Sequence, residues 1–205
     1  ADGMALRLKH SDHRLHLALM PETEAAQMLF ELMEQQRVES LVESCHPGMK
    51  RNVETRFNSW CSDFHTSGMT ENQLGLMIYT VAQMVWSRLT GNPPAEETED
   101  LIEQQRAVLA PAIGVDLQGL RRERRNQANY GRHAANIANV IVTINEAINA
   151  EQKHNPERNN EDPDNEETKA RFRLMLEPMD DDGDLQVPGN SWSDRDERIL
   201  QQQVA

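Results

Sequence analysis

Apolar and polar residues alternate near the start of the chain. Met4, Leu6 and Leu8 lie on one side of Lys9–His13, and Leu15, Leu17 and Leu19 on the other. Period-two spacing on both sides of Ser11-Asp12 predicts a β-hairpin over residues 4–20. A lone hairpin is only marginally stable in water, so its leucine face is expected to pack on helices.

The spacing then lengthens to three and four. A helix opening at Pro21-Glu22 carries Ala25, Ala26, Met28, Leu29, Leu32, Met33 and Val38, and His46-Pro47-Gly48 breaks it. Met49, Val53, Phe57, Trp60, Cys61 and Phe64 make one apolar face of a second helix. A third begins at Thr70-Glu71, carries Leu74, Met77, Ile78, Val81, Met84, Val85 and Leu89, and stops at Gly91-Asn92-Pro93-Pro94. A fourth is expected from about Ala95 to Ala112. Beyond Gly114, the residues Leu117, Leu120, Tyr130, Ile137, Val140, Ile141, Ile144 and Ile148 predict a long helix, or two broken near Gly131. The fold class that follows is mainly α: a bundle of about five helices, with the hairpin covering one side or end. Glu-Gln-Gln-Arg at 34–37 recurs at 103–106. Four-residue identities on polar helix faces arise easily and imply no duplication.

Composition divides the chain. Residues 1–150 hold nearly all the aliphatic side chains, whereas 151–205 carry fifteen acids against seven bases, out of thirty-four and twenty-one in all. The second segment buries too little apolar surface to offset its ordering entropy and is read as an acidic linker or tail. Within it Phe172, Leu174 and Leu176 alternate, a candidate strand over 171–176. A net charge of −13 argues against nucleic acid or an anionic membrane as partner. No window approaches the roughly 18 consecutive apolar residues of a membrane span. The chain opens on Ala1 without a charged-then-apolar leader, so a processed or excised cytoplasmic piece with reduced thiols is expected for its two cysteines.

Candidate chemistry is sparse. With no GxxxxGK or GxGxxG, nothing in the sequence cradles a nucleotide's phosphates. GxSxG and HExxH are also missing, and the abundant carboxylates follow no constraining pattern. His10, His13 and His16 recur every third residue. Period two sends positions three apart to opposite strand faces, so they could act as metal ligands only if the turn folded them together; otherwise they are solvated histidines near a turn. Cys61 and His65 share a helix face at i and i+4, and Cys45 adjoins His46, but Cys61 falls in the apolar stripe, where a thiol packs as a small hydrophobe. Asp180, Asp181, Asp182 and Asp184 lack the glycine and the closing glutamate of a calcium loop. Arg121, Arg122, Arg124 and Arg125, followed by Arg132, form a basic island in an acidic protein. It is either a solvated helix face or a dock for an acidic partner or for the chain's own tail, because guanidinium forks suit carboxylates.

The opening block carries more than its period. Ala1-Asp2, Met4-Ala5-Leu6-Arg7-Leu8-Lys9-His10, His13, Leu15-His16, Leu19 and Pro21, followed by Phe30 and Glu34-Gln35-Gln36-Arg37-Val38-Glu39, resemble the N-terminal domain of the CobT subunit of aerobic cobaltochelatase. The likeness resumes at Val85-Trp86-Ser87-Arg88-Leu89-Thr90-Gly91-Asn92-Pro93-Pro94 and continues near Asn126–Asn136. The acidic tail is similar to the start of that family's linker, while Ser44–Ser67 departs from its pattern.

The resemblance implies a subunit, without an active site of its own, of an ATP-dependent chelatase that inserts Co²⁺ into hydrogenobyrinic acid a,c-diamide during cobalamin synthesis. It implies an AAA+ ATPase partner and a large tetrapyrrole-binding subunit in an oligomeric assembly. ATP, Mg²⁺ and Co²⁺ would be used at the level of that assembly, with no cofactor held by this chain. The family's von Willebrand A domain, with its D-x-S-x-S metal motif, is not found in these 205 residues. On this reading Arg37 and the island Arg121, Arg122, Arg124 and Arg125 are expected to face the partner. Two readings compete. One is an adaptor of an AAA+/von Willebrand A pair serving a client other than a corrin, which gene neighbourhood would discriminate. The other is a small metal-handling protein built on His10, His13 and His16.

Overall fold

The structure, a computed structural model, describes residues 2–43, 45–94 and 98–154, the side chains of the last three excepted. The expected strand at 171–176 and nearly all of the acidic tail lie outside these residues. Seven α-helices are present among those described: α1 (Asp2–His10), α2 (His13–Leu19), α3 (Glu24–Glu39), α4 (Pro47–Thr66), α5 (Gln73–Thr90), α6 (Glu99–Glu123) and α7 (Gln127–His154). A short 3₁₀ turn, Met69–Glu71, joins α4 to α5. None of these helices is long and apolar enough to cross a membrane.

The predicted hairpin at 4–20 is instead two short helices. Ser11-Asp12 separates them, but Asp12 serves as the N-cap of α2, its carboxylate accepting the Leu15 N–H at 3.0 Å. The alternating residues do not share a buried face: Leu6 is buried, whereas Met4, Leu8 and Leu17 are exposed. Arg7, Lys9 and His10 fall in the last turn of α1, where the helix dipole favours positive charge.

The stripes of α3, α4 and α5 are where periodicity placed them. His46-Pro47-Gly48 ends no helix, however: Pro47 opens α4, a position where a missing N–H costs nothing. Thr70-Glu71 belongs to the 3₁₀ turn, and Asn72 caps α5 by accepting the Gly75 N–H at 2.6 Å. At the far end Gly91 takes φ 81°, the left-handed cap expected before Pro93-Pro94. α6 runs on through Pro111 and Gly114, and α7 through Gly131, so the break falls at Arg124–Asn126.

The core lies among α3, α5, α6 and α7, with α1 against α3 and α2 against α7. Ile102, Leu109, Ile113, Leu117 and Leu120 of α6 meet Tyr130, Ala134, Ile137, Ala138 and Ile141 of α7 in it. Most of the chain's aromatic rings gather at the α4–α5 contact. Phe57 stacks on Trp86 with centroids 4.3 Å apart, and Phe64 on Tyr79 at 5.6 Å.

Candidate functional site

Arg37, expected to face a partner, is buried inside the fold. Its side chain is 1% exposed, at the junction of α1, α3 and the α6–α7 link. Nε and Nη2 each donate to the Glu34 carboxylate at 2.7 Å, a bidentate pair within one turn of α3. Nη2 also donates to the His10 carbonyl at 2.7 Å and Nη1 to the Arg124 carbonyl at 3.3 Å, while the guanidinium lies over the Tyr130 ring. Ser11 donates to Glu34 at 2.6 Å, and the Gln127 amide joins Ser11 and Asp12 to the start of α7. Tyr130 closes the cluster by donating to the Met33 carbonyl at 2.8 Å. Arg37 thus positions the link that carries the basic island.

The island is placed by that link. Arg121 and Arg122 end α6, exposed, and Arg125 is exposed in the link. Arg122 pairs with Glu123 at 2.7 Å. Arg124 is partly buried and donates to the Leu89 carbonyl at 3.4 Å, so it caps the C-terminus of α5. Arg121 instead joins two arginines that sequence reasoning missed. Arg88, Arg106 and Arg121 line one groove of about 240 Å³ between α5 and α6, with Met84, Ile102 and Leu117 among its apolar walls. Arg106 pairs with Glu103, whereas Arg88 and Arg121 have no ion pair among the described residues. The outward side of α6 carries a second unusual feature. Val108 is 61% and Val115 81% exposed, with exposed Ala112 between them. Their seven-residue spacing continues to Arg122, so an apolar strip leads into the basic end. The spacing was legible; its outward direction required the position of the core stripe.

The histidines do not converge. His10 is half-buried at the end of α1, His13 is exposed, and His16 is 3% exposed, stacked on Phe30. His16 Nε2 lies 2.5 Å from Glu31, which Arg7 also binds at 2.6 Å. This is an ion-paired clamp between the N-terminal helices and α3, and it removes the metal-handling reading built on the three histidines. The Cys61–His65 pairing fails as well. Cys61 is buried and accepts from Gln83 at 3.3 Å, while His65 Nδ1 meets Thr70 Oγ1 at 2.9 Å. Burial pushes the Cys61 thiol up to about 12, so it stays protonated and inert at neutral pH. A larger cavity of about 590 Å³ beside it is lined by Phe57, Tyr79 and Trp86 with Asn58, Ser62 and Asn92; its rim at Pro94 and Thr98 flanks residues outside the described set.

The clamp predicts a pH dependence. Burial pushes the Glu31 carboxyl up, but the His16 hydrogen bond and the Arg7 charge outweigh it and leave its pKa below the ordinary 4.5. In the window between the folded and the ordinary value the unfolded chain binds more protons. The contribution of Glu31 is therefore complete above the ordinary value and is lost as pH falls through the folded one. Urea midpoints of Glu31→Gln should consequently fall less steeply than those of the parent below about pH 5. Parallel acid limbs would exclude this contribution.

Among the described residues, then, the fold is a bundle of seven α-helices. It offers an arginine-lined groove and an exposed apolar strip on α6, and its Arg37–Glu34 and Arg7–Glu31–His16 clusters are occupied in holding helices together. The family model described as cobalamin biosynthesis protein CobT matches residues 1–202, and the chain belongs to that family. Membership places it in cobalamin biosynthesis. No curated protein and no solved structure gave a match to it.

Proposed function

We propose that this chain is a non-catalytic assembly subunit of an ATP-dependent cobalt chelatase, and that α6 is its docking face for the AAA+ ATPase subunit. The enzyme inserts Co²⁺, its substrate, into the corrin precursor hydrogenobyrinic acid a,c-diamide. ATP and Mg²⁺ belong to the ATPase partner and the tetrapyrrole to the large subunit. This chain contributes a firmly packed helix presenting apolar and cationic side chains together.

The observation that carries the reading is the strip of Val108, Ala112 and Val115 running into Arg122 on the outward side of α6. A valine with 81% of its surface in water gains nothing for the isolated fold. Protein interfaces join an apolar centre to a polar rim and favour arginine over lysine. Family membership supplies the pathway.

Capture of the cognate ATPase by the full chain, with and without nucleotide, tests the reading. Val115→Asp with Arg122→Glu is expected to weaken binding by about 2 kcal/mol or more, roughly thirtyfold. The same pair should change folding stability by no more than about 0.5 kcal/mol, because both side chains are exposed. Failure of the parent chain to bind under either condition would sink the proposal. Binding unaffected by the double substitution would remove α6 as the docking face.

A further inference from the structure

A different set of side chains comes together in the link between α3 and α4. The His46 N–H donates to the Glu43 carbonyl at 3.0 Å, which closes a turn, and Pro47 then starts α4. Proline fixes its own φ and restricts the residue before it, so His46 is held at the mouth of the helix. The turn draws together three different donors. Cys45 Sγ lies 3.5 Å from Glu43 Oε2 and 3.2 Å from His46 Nδ1. One ligand atom from each residue lies within 4.8 Å of the others.

Those separations carry chemical information. A tetrahedral ion with metal–ligand bonds of about 2.0–2.3 Å holds its ligand atoms roughly 3.3–3.8 Å apart. The sulfur–nitrogen and sulfur–oxygen distances are already close to the edges of such a tetrahedron. Thiolate, imidazole and carboxylate together suit borderline ions, whereas calcium and magnesium take oxygen alone. All three residues are exposed, which leaves the remaining position open to water. One cation competes for the carboxylate: Lys9 Nζ lies 3.6 Å from Glu43 Oε1, and both side chains are more than half exposed. A surface pair of that kind is weak enough for an entering ion to displace.

We propose that Glu43, Cys45 and His46 form a binding site for one divalent transition ion, Zn²⁺ or Co²⁺. The Cys45 sulfur is the principal ligand; its bond to the metal replaces the S–H bond, and the proton passes to solvent. The site stands apart from the α6 docking face, so either can fail without the other.

Titration of the full chain with Co²⁺ under reducing conditions, followed by optical absorption, tests the assignment. A thiolate-to-cobalt charge-transfer band should grow to one equivalent, and Zn²⁺ should displace it. Cys45→Ser should abolish the band while far-ultraviolet circular dichroism stays unchanged. His46→Ala should weaken binding by at least the roughly 10- to 100-fold that losing even an outer hydrogen-bond partner costs a metal site. His46 makes no side-chain bond to the start of α4, so this change leaves the helix capped as before. Cys61→Ser, which alters only the buried thiol, should leave the band intact. Four outcomes overturn the proposal: no band in the folded parent, a band only at millimolar Co²⁺, a band that survives Cys45→Ser, or Cys45 reactivity toward a maleimide without any band.

Discussion

Replacing Arg37 with alanine is expected to lower folding stability by about 3–5 kcal/mol, the range found when one partner of a buried ion pair is removed. The Glu34 carboxylate, 2% exposed, would be left buried with the Ser11 hydroxyl but without its guanidinium. The His10 and Arg124 carbonyls would lose a donor too. A domain of this size typically has about 5–15 kcal/mol in total, so the loss takes up a large share of it. Urea unfolding measures it directly. Lysine should recover little, because an ammonium cannot span the carboxylate and two carbonyls in the guanidinium's planar geometry. Joint replacement of Glu34 and Arg37 by leucine and methionine separates desolvation from hydrogen bonding. It removes the stranded charge, the larger effect, but leaves the two carbonyls and Ser11 unmatched at about 1–3 kcal/mol each where water cannot reach them. Partial recovery is therefore expected, and full recovery would show that the carbonyl contacts contribute nothing. Arg37→Ala should also raise amide exchange at Arg124–Gln127, because Arg37 fastens that link from inside.

Burial of Arg37 was legible in outline. It follows Met33 by four and Phe30 by seven, so it stands on the core stripe of α3. A charge at a stripe position with a glutamate three residues earlier signals an internal pair. Its place in a family-like block points outward to a partner, whereas the spacing points inward to the core. The α3, α4 and α5 stripes could be read because each is long and one-sided, and Gly91-Asn92-Pro93-Pro94 because a left-handed cap before two prolines has few other uses. The first twenty residues could not. Over so short a run, Met4, Leu6, Leu8, Leu15, Leu17 and Leu19 fit period two as well as a helix with apolar residues on its wet side. The Asp12 cap decided between them. Gly114 and Gly131 misled in the opposite direction: glycine breaks a helix only where nothing else holds it, and the buried residues of α6 and α7 continue through both. The basic island was visible as composition, but only the geometry divided it into Arg121 in the groove, Arg124 capping α5, and Arg122 and Arg125 exposed. Arg88 and Arg106, far off in sequence, gave no sign that they belonged beside Arg121. The Glu43, Cys45 and His46 cluster depends on one turn that local residue types do not dictate.

Gly75 and Gly114 should respond in opposite directions to the same substitution. Both are inside helices, where alanine is ordinarily better than glycine by about 0.5–1 kcal/mol. At Gly114 a Cβ would meet nothing within 4 Å, so Gly114→Ala is expected to realise that gain. At Gly75 a Cβ would stand 1.9 Å from the Met69 carbonyl oxygen and 3.0 Å from Asn72 Oδ1, the capping atom of α5. The first contact is to backbone, so no rotamer change relieves it. The 3₁₀ turn would have to move away from α5, drawing Met69 out of the core and disturbing the Thr70–His65 contact. Inserting a group where there is no room costs about 1–3 kcal/mol in a core and more where backbone must shift. Gly75→Ala is therefore expected to lose at least about 2 kcal/mol net of its helix propensity gain. Thermal unfolding of the two variants beside the parent checks the pair. A melting temperature raised by Gly114→Ala and lowered by Gly75→Ala identifies close packing of the 3₁₀ turn as the cause. A rise in both would mean that the turn yields freely and that the approach of Met69 to α5 contributes nothing to the fold.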